Sequence, residues 1–139
     1  MHAPHLSVVT PSSHDTSTLR GWWQELSAEE RQKAWWLVGG GDGAVPPTMD
    51  THLTERFVAQ HLNSPAMWAV FPMQDLMALD TKTTRGGSPD DERINVPANP
   101  EHYWRYRMHL SFAELHKAHS WIQKLKDLLA QSRRAQSHR

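Results

Sequence analysis

This sequence predicts an α/β fold, mainly helical, built on short parallel strands. Two runs carry that expectation. Leu6-Ser-Val-Val-Thr10 and Met67-Trp-Ala-Val-Phe71 are apolar or β-branched without polar alternation, as a strand buried on both faces requires. Each run stops at a proline, Pro11 or Pro72, and each is followed by a helical pattern. That order belongs to βα units and an α/β barrel rather than to an antiparallel sheet. A third observation is a deficit. Two strands buried on both faces cannot satisfy their own edges, so they need parallel neighbours that this chain does not supply. The sequence reads as the end of something larger.

The elements follow in order. Leu6 to Thr10 is the first strand, and Thr16 to Glu25 reads as a helix. Ser27-Ala-Glu-Glu30 is a capping box opening a second helix to about Val38, the Ser hydroxyl and the Glu carboxylate each satisfying an orphan amide. Gly39-Gly-Gly-Asp-Gly43 and Pro46-Pro47 make a loop. It is not a phosphate cradle, because no Lys-Ser or Lys-Thr follows it. Asp50 or Thr51 caps a third helix to about Asn63, with Leu53, Phe57, Val58 and Leu62 on one face. After the second strand, Gln74 to Leu79 is a short helix. Asp80 to Glu92 is polar and reads as an exposed loop, and Ile94 to Pro100 is too rich in proline for regular structure. Ser111-Phe-Ala-Glu114 is a second capping box. It opens the longest helix, whose stripe is Leu115, Ala118, Ile122, Leu125 and Leu129. The tail from Ser132 to Arg139 is expected to be frayed, and there is no internal repeat.

Composition narrows the class. The chain of 139 residues has room for one small domain. Fifteen basic residues balance fifteen acidic ones, so no field favours nucleic acid or an acidic membrane surface. There is no cysteine, which excludes disulfides and Cys-based metal or redox sites and fits a reducing, cytoplasmic compartment. No apolar run reaches membrane-spanning length, and Met-His-Ala-Pro-His at the start lacks the pattern of a signal peptide. Ten histidines include His2 with His5 and His116 with His119. Neither pair is completed by a third ligand type or a His-Glu-x-x-His pattern, so no metal and no cofactor is expected. Seven tryptophans against three phenylalanines are unusual. Core packing accounts for most tryptophans, and a flat stacking surface for sugars accounts for an excess.

The chemistry-bearing run is Pro11-Ser-Ser-His-Asp-Thr-Ser-Thr-Leu-Arg-Gly-Trp-Trp23. A strand ends, a turn presents His14 and Asp15, and a helix begins. In barrels of alternating strands and helices, catalytic residues gather at that strand end. The competing reading makes Asp15 a helix N-cap, and spacing alone leaves the two open. Asp75, just past the second strand, lies on the same face and reads either as a substrate contact or as a helix cap. Asn95 and Asn99 either shape the mouth of a site or serve turns. Arg105 and Arg107 sit among aromatic residues and read as stacking and pairing groups.

Three blocks in this order resemble one family. Ser12-Ser-His-Asp-Thr-Ser-Thr-Leu-Arg-Gly-Trp-Trp23, Ser64-Pro-Ala-Met-Trp-Ala-Val-Phe-Pro-Met-Gln-Asp-Leu76 and Arg93-Ile-Asn-Val-Pro-Ala-Asn-Pro-Glu-His-Tyr-Trp-Arg-Tyr-Arg-Met108 are similar to the 4-alpha-glucanotransferases, or amylomaltases, of glycoside hydrolase family 77. The resemblance runs from about Leu6 to the last helix and lies nearest the long form with N-terminal starch-binding modules. It implies a (β/α)8 barrel, of which residues 1–139 are the C-terminal part with its last two strands. The implied activity is retaining transfer of α-1,4-glucan segments to the 4-hydroxyl of an acceptor sugar. It further implies that Asp15 is the carboxylate stabilising the transition state and His14 a neighbouring ligand of the same sugar. The nucleophile and the acid/base of that family belong to strands before Leu6 and have no counterpart here, so the chain by itself is expected to be inactive. The implied partners are an α-1,4-glucan or maltooligosaccharide and the missing N-terminal barrel, with no nucleic acid and no membrane. Alternatives are a non-catalytic glucan-binding or structural remnant, or a subunit that completes a split barrel in trans.

Overall fold

A computed structural model describes residues 3–132 and 134 of the chain. Two strands, β1 (Val8–Val9) and β2 (Trp68–Ala69), pair in parallel with Val8 opposite Trp68 and Val9 opposite Ala69. The chain between them forms α1 (Leu19–Glu25), α2 (Ala28–Leu37) and α3 (Thr51–Leu62). After β2 come α4 (Met73–Met77), a 3-10 turn at Pro89–Glu92, α5 (Phe112–Lys117) and α6 (His119–Gln131). Strand, helices, parallel strand, helix is the order expected from the sequence.

The helices start where their caps dictate. Ser27 and Ser111 each accept from the amide three residues on, and Glu30 and Glu114 each reach back to the cap amide. Those bonds to the charged form hold both carboxyls below the ordinary glutamate range. Asp50 caps α3 through Leu53 N–H at 2.7 Å. The helix after β1 starts at Leu19 rather than Thr16, because Thr18 is its cap, accepting from Gly21 N–H at 3.4 Å. The longest expected helix is broken into α5 and α6. Ala118, at φ −78° and ψ 66°, leaves helical backbone between them, so Leu128 rather than Leu129 is buried on α6.

α3 is the spine of the packing. Its Leu53 and Phe57 join Leu19, Trp23, Trp35 and Met49 in one apolar cluster. Its Val58 and Leu62 join Met77, Leu79, Leu115, Trp121 and Leu128 in a second. Three tryptophans are core residues whose indole N–H groups find carbonyls, as buried indoles need: Trp23 to Pro46, Trp35 to Gly43 and Trp121 to Leu76. Gly40 is fixed by that packing, since a Cβ there would lie 1.9 Å from the Trp35 ring.

Two expectations are corrected. The strands are not buried on both faces: Leu6, Val8, Trp68 and Val70 are all more than half exposed, and Met67 is exposed. No layer of the described residues covers these five side chains. The segment Asp80 to Glu92 is not a simple exposed loop. Thr83, Pro89 and Glu92 are buried, because Thr83 Oγ1 donates to Met77 O and Glu92 pairs with Arg20. In the expected frayed tail, Ser132 is buried and Arg134 donates to the carbonyls of Leu62, Ser64, Ala66 and Met67. Those bonds cover backbone acceptors between α3 and β2. The remainder of the tail, and His2 of the His2–His5 pair, lie outside the described residues.

The exposed strand residues give a test on the purified 139-residue chain. Apolar side chains open to water together with strand edges open to pairing favour association. Thermal unfolding is expected to be broad, with elution at an apparent mass above that of the monomer. A sharp cooperative transition from a monomer would show that two strands suffice.

Candidate functional site

The turn between β1 and α1 carries the candidate site. Thr16 N–H bonds to Ser13 O at 3.3 Å, and Ser13 N–H to Thr16 Oγ1 at 2.9 Å. Asp15 N–H reaches Ser13 Oγ at 3.3 Å. The turn is therefore closed on itself, and it lifts His14 and Asp15 to its apex. Both side chains are half exposed, with His14 Nε2 3.3 Å from Asp15 Oδ2.

Asp15 is not a helix cap, since Thr18 takes that role. Instead its Oδ1 accepts a 2.6 Å hydrogen bond from Asn95 Nδ2, while Asn95 N–H bonds to His14 O at 3.1 Å. One asparagine thus holds both the backbone and the carboxylate of the turn, leaving Oδ2 facing His14. Asn95 is itself held by Arg93, whose Nε donates to Asn95 O at 3.1 Å and whose Nη1 lies 3.6 Å from Glu25. Beyond His14, its ring meets Trp104 with centroids 5.1 Å apart and a tilt of 51°. The result is a carboxylate, an imidazole and an exposed indole on one surface. Hydroxyl-rich rings are bound by such sets, with polar groups for the hydroxyls and a flat face for the C–H surface. Beside Asp15 runs an open groove of about 540 Å³ lined by Thr16, Ser17, Trp22, Phe57, His61 and Arg93 among others.

The five residues singled out in the sequence separate clearly. His14, Asp15 and Asn95 come together. Asn99 does not: its Oδ1 accepts from Glu101 N–H at 3.0 Å, a turn role. Asp75 is 1 % exposed and is not among the residues lining the groove beside Asp15. Nor does it cap its own helix, where Pro72 stands at the cap position. Its two oxygens are taken by Ser12 Oγ–H at 2.5 Å and by Leu19 N–H at 2.8 Å. Burial pushes the Asp75 carboxyl up from the ordinary range, against the two hydrogen bonds. Trp104 was missed as a site residue. Its signal was the aromatic run Tyr103-Trp-Arg-Tyr106 just after Asn-Val-Pro, within which Arg105 stacks on Tyr103 at 4.8 Å.

Below the turn lies a second buried charge. Glu92, 2 % exposed, meets Arg20 Nη1 at 3.1 Å, and Arg20 also donates to Arg85 O at 3.0 Å. Gln74 Nε2 donates to Glu92 O at 3.1 Å. Burial raises the Glu92 carboxyl, and the Arg20 guanidinium opposes that rise. This cluster ties α1, α4 and the 3-10 turn together under the site. Among the described residues no helix is long and apolar enough to cross a membrane.

A sequence profile of the family described as 4-alpha-glucanotransferase matches residues 1–112. A 4-alpha-glucanotransferase of Oryza sativa subsp. japonica is 43% identical over 112 residues, which are 80% of this chain and 12% of that protein. A 4-alpha-glucanotransferase of Chlamydia muridarum is 34% identical over 130 residues, 90% of this chain and 22% of that one. Among solved structures, an amylomaltase from Streptococcus agalactiae in complex with acarbose superposes with a TM-score of 0.64 at 20% identity. That alignment covers 88% of this chain and 21% of the other. The chain thus shares the fold of part of that enzyme and spans a small fraction of the relatives it matches.

The buried Arg20–Glu92 pair gives a stability test. Arg20→Met leaves Glu92 buried without its cation, a change that typically costs about 3–5 kcal/mol. Its thermal midpoint is expected to fall by several degrees, and the double variant Arg20→Met, Glu92→Leu to recover most of the loss. An unchanged midpoint in Arg20→Met would show that the pair is not holding α1 to the 3-10 turn.

Proposed function

The chain belongs to the 4-alpha-glucanotransferase family, and from that premise we propose that residues 1–139 form the C-terminal part of the catalytic barrel of such an enzyme. In this reading β1 and β2 are the last two barrel strands. The remaining strands, in the same chain or supplied in trans, cover the exposed Val8, Trp68 and Val70. The reaction is retaining transfer of an α-1,4-glucan segment to the 4-hydroxyl of another sugar, in a cytoplasmic setting that suits a chain without cysteine. The substrate is an α-1,4-glucan or maltooligosaccharide.

The observation that carries the reading is the Asp15–Asn95 hydrogen bond at 2.6 Å beside His14. It fixes an accessible carboxylate at the C-terminal end of a parallel strand, without burying it. Retaining glycosyl transfer passes through oxocarbenium-like transition states and needs a nucleophilic carboxylate and an acid/base on either side of the bond. In this proposal both come from the preceding strands. Asp15 supplies the third carboxylate, gripping ring hydroxyls as the sugar flattens and countering the positive charge that develops. His14 donates to the same ring, and Trp104 offers the stacking face behind it. Because Asn95 already orders the carboxylate, little reorganisation is needed when charge appears, which is where preorganised groups gain their effect.

Two outcomes follow. The 139-residue chain alone is expected to release no glucose from maltotriose above a buffer control, since the flanking carboxylates are absent. In the complete enzyme, Asp15→Asn is expected to lower turnover roughly a hundred- to a thousandfold while the circular dichroism spectrum stays unchanged. Near-normal turnover in that variant would return Asp15 to a structural role.

A further inference from the structure

We propose that Asp75 is a positioning residue that fixes the catalytic turn in space, holding both of its ends with the two oxygens of one buried carboxylate. The proposal rests on the reading of Asp15 as a catalytic carboxylate.

The geometry is specific. Asp15 lies on the segment from Ser12 to Leu19. Ser12 Oγ–H donates to Asp75 Oδ2 at 2.5 Å, and Leu19 N–H donates to Oδ1 at 2.8 Å. The segment thus enters and leaves through the same side chain. Inside it, the bonds between Ser13 and Thr16 close the turn, so the apex moves only if the anchors move. Asp75 itself cannot drift. It sits in α4, directly after β2, and β2 is in register with β1, the strand that delivers the turn. At the apex, Asn95 steadies the Asp15 carboxylate from outside. Asp75 therefore sets where the turn stands, and Asn95 sets how its carboxylate points.

The residue type fits this task and no simpler one. Both partners are donors, one a hydroxyl and one the first amide of α1, and an ionised carboxylate offers only acceptors. A helix cap alone would need one oxygen, and Thr18 already serves α1 at Gly21. The second oxygen goes instead to Ser12, at the far end of the turn. Burying this carboxylate opposes its ionisation, a cost that a cap at the surface would avoid.

The test is steady-state kinetics on the complete glucanotransferase containing this segment, with maltotriose as substrate. Asp75→Ala removes both anchors. It is expected to lower kcat roughly ten- to a hundredfold while KM changes by less than about twofold, because displacing a reacting group by about an ångström costs on that order. Asp75→Asn is expected to restore most of kcat, since its carbonyl can accept from Leu19 N–H and its amide can donate to Ser12 Oγ. Ser12→Ala, which frees one end, is expected to lower kcat by a smaller factor. In an Asp15→Asn background, Asp75→Ala is expected to add almost nothing, because the group it positions is already disabled. A purely structural Asp75 would give losses that multiply, and that result overturns the proposal. So does normal kcat in Asp75→Ala when Asp15→Asn is slow, an outcome that leaves the reading of Asp15 standing. Near-normal turnover in Asp15→Asn removes that reading and the proposal with it. If Asp75→Ala does not fold, unchanged kcat in Ser12→Ala overturns the proposal on its own.

Discussion

Two hydrogen bonds to one buried carboxylate hold the turn that carries His14 and Asp15. From α4, Asp75 joins Ser12, just after β1, to the start of α1. The turn of residues 12–19 is held besides by Asn95, by the His14–Trp104 contact and by the burial of Leu19. Hydrogen bonds to a charged group contribute about 1.5–3 kcal/mol each. That is comparable to the cost of dehydrating the carboxylate, so the arrangement serves geometry more than stability. Arg20 and Glu92 repeat the pattern beneath it, joining α1 to the 3-10 turn.

The apolar packing supports these polar anchors. α3 divides its buried face between two clusters, one reaching α1 and α2 and the other α4, α5 and α6. Phe57 stands steeply tilted against Trp22 and Trp23 at centroid distances of 5.5 and 6.3 Å, so α1 is oriented by aromatic contacts as well as by Asp75. The helix bearing one anchored end of the turn is thereby fixed against the spine of the fold. Leu6, Val8, Trp68 and Val70 around β1 and β2 have no such cover among the described residues and are more than half exposed.

Much of the fold was legible in the sequence because its signals are local. The capping boxes at Ser27 and Ser111 and the cap at Asp50 name their own partners within three residues, and all three stand where expected. Parallel pairing followed from proline-terminated apolar runs. The break at Ala118 was not legible: Leu115, Ala118, Ile122 and Leu125 keep helical spacing straight through it, and periodicity does not register a single residue leaving helical backbone. The burial of Glu92 was hidden for a different reason. Its partner Arg20 is distant in sequence, and a charged residue in a polar stretch looks solvated until the fold closes over it. The site shows the same division. His14 and Asp15 are adjacent and declared themselves. The link from Asp15 to Asn95 spans 80 positions and that from Ser12 to Asp75 spans 63, separations that leave no periodic trace. Asp75 was marked by its place after a strand, but its task depends on donors that only the folded chain brings to it.

The central claim is that the turn presents Asp15 to a sugar, already oriented by Asn95 and already placed by Asp75. A crystal structure of the complete protein with a bound maltooligosaccharide tests it most directly. The account predicts Asp15 Oδ2 within hydrogen-bonding distance, about 2.5–3.2 Å, of a ring hydroxyl, with His14 on the same ring. The bonds from Asn95 to Oδ1 and from Ser12 and Leu19 to Asp75 should be unchanged. A glucan bound with Asp15 out of reach of every hydroxyl, while those anchoring bonds remain intact, would contradict it.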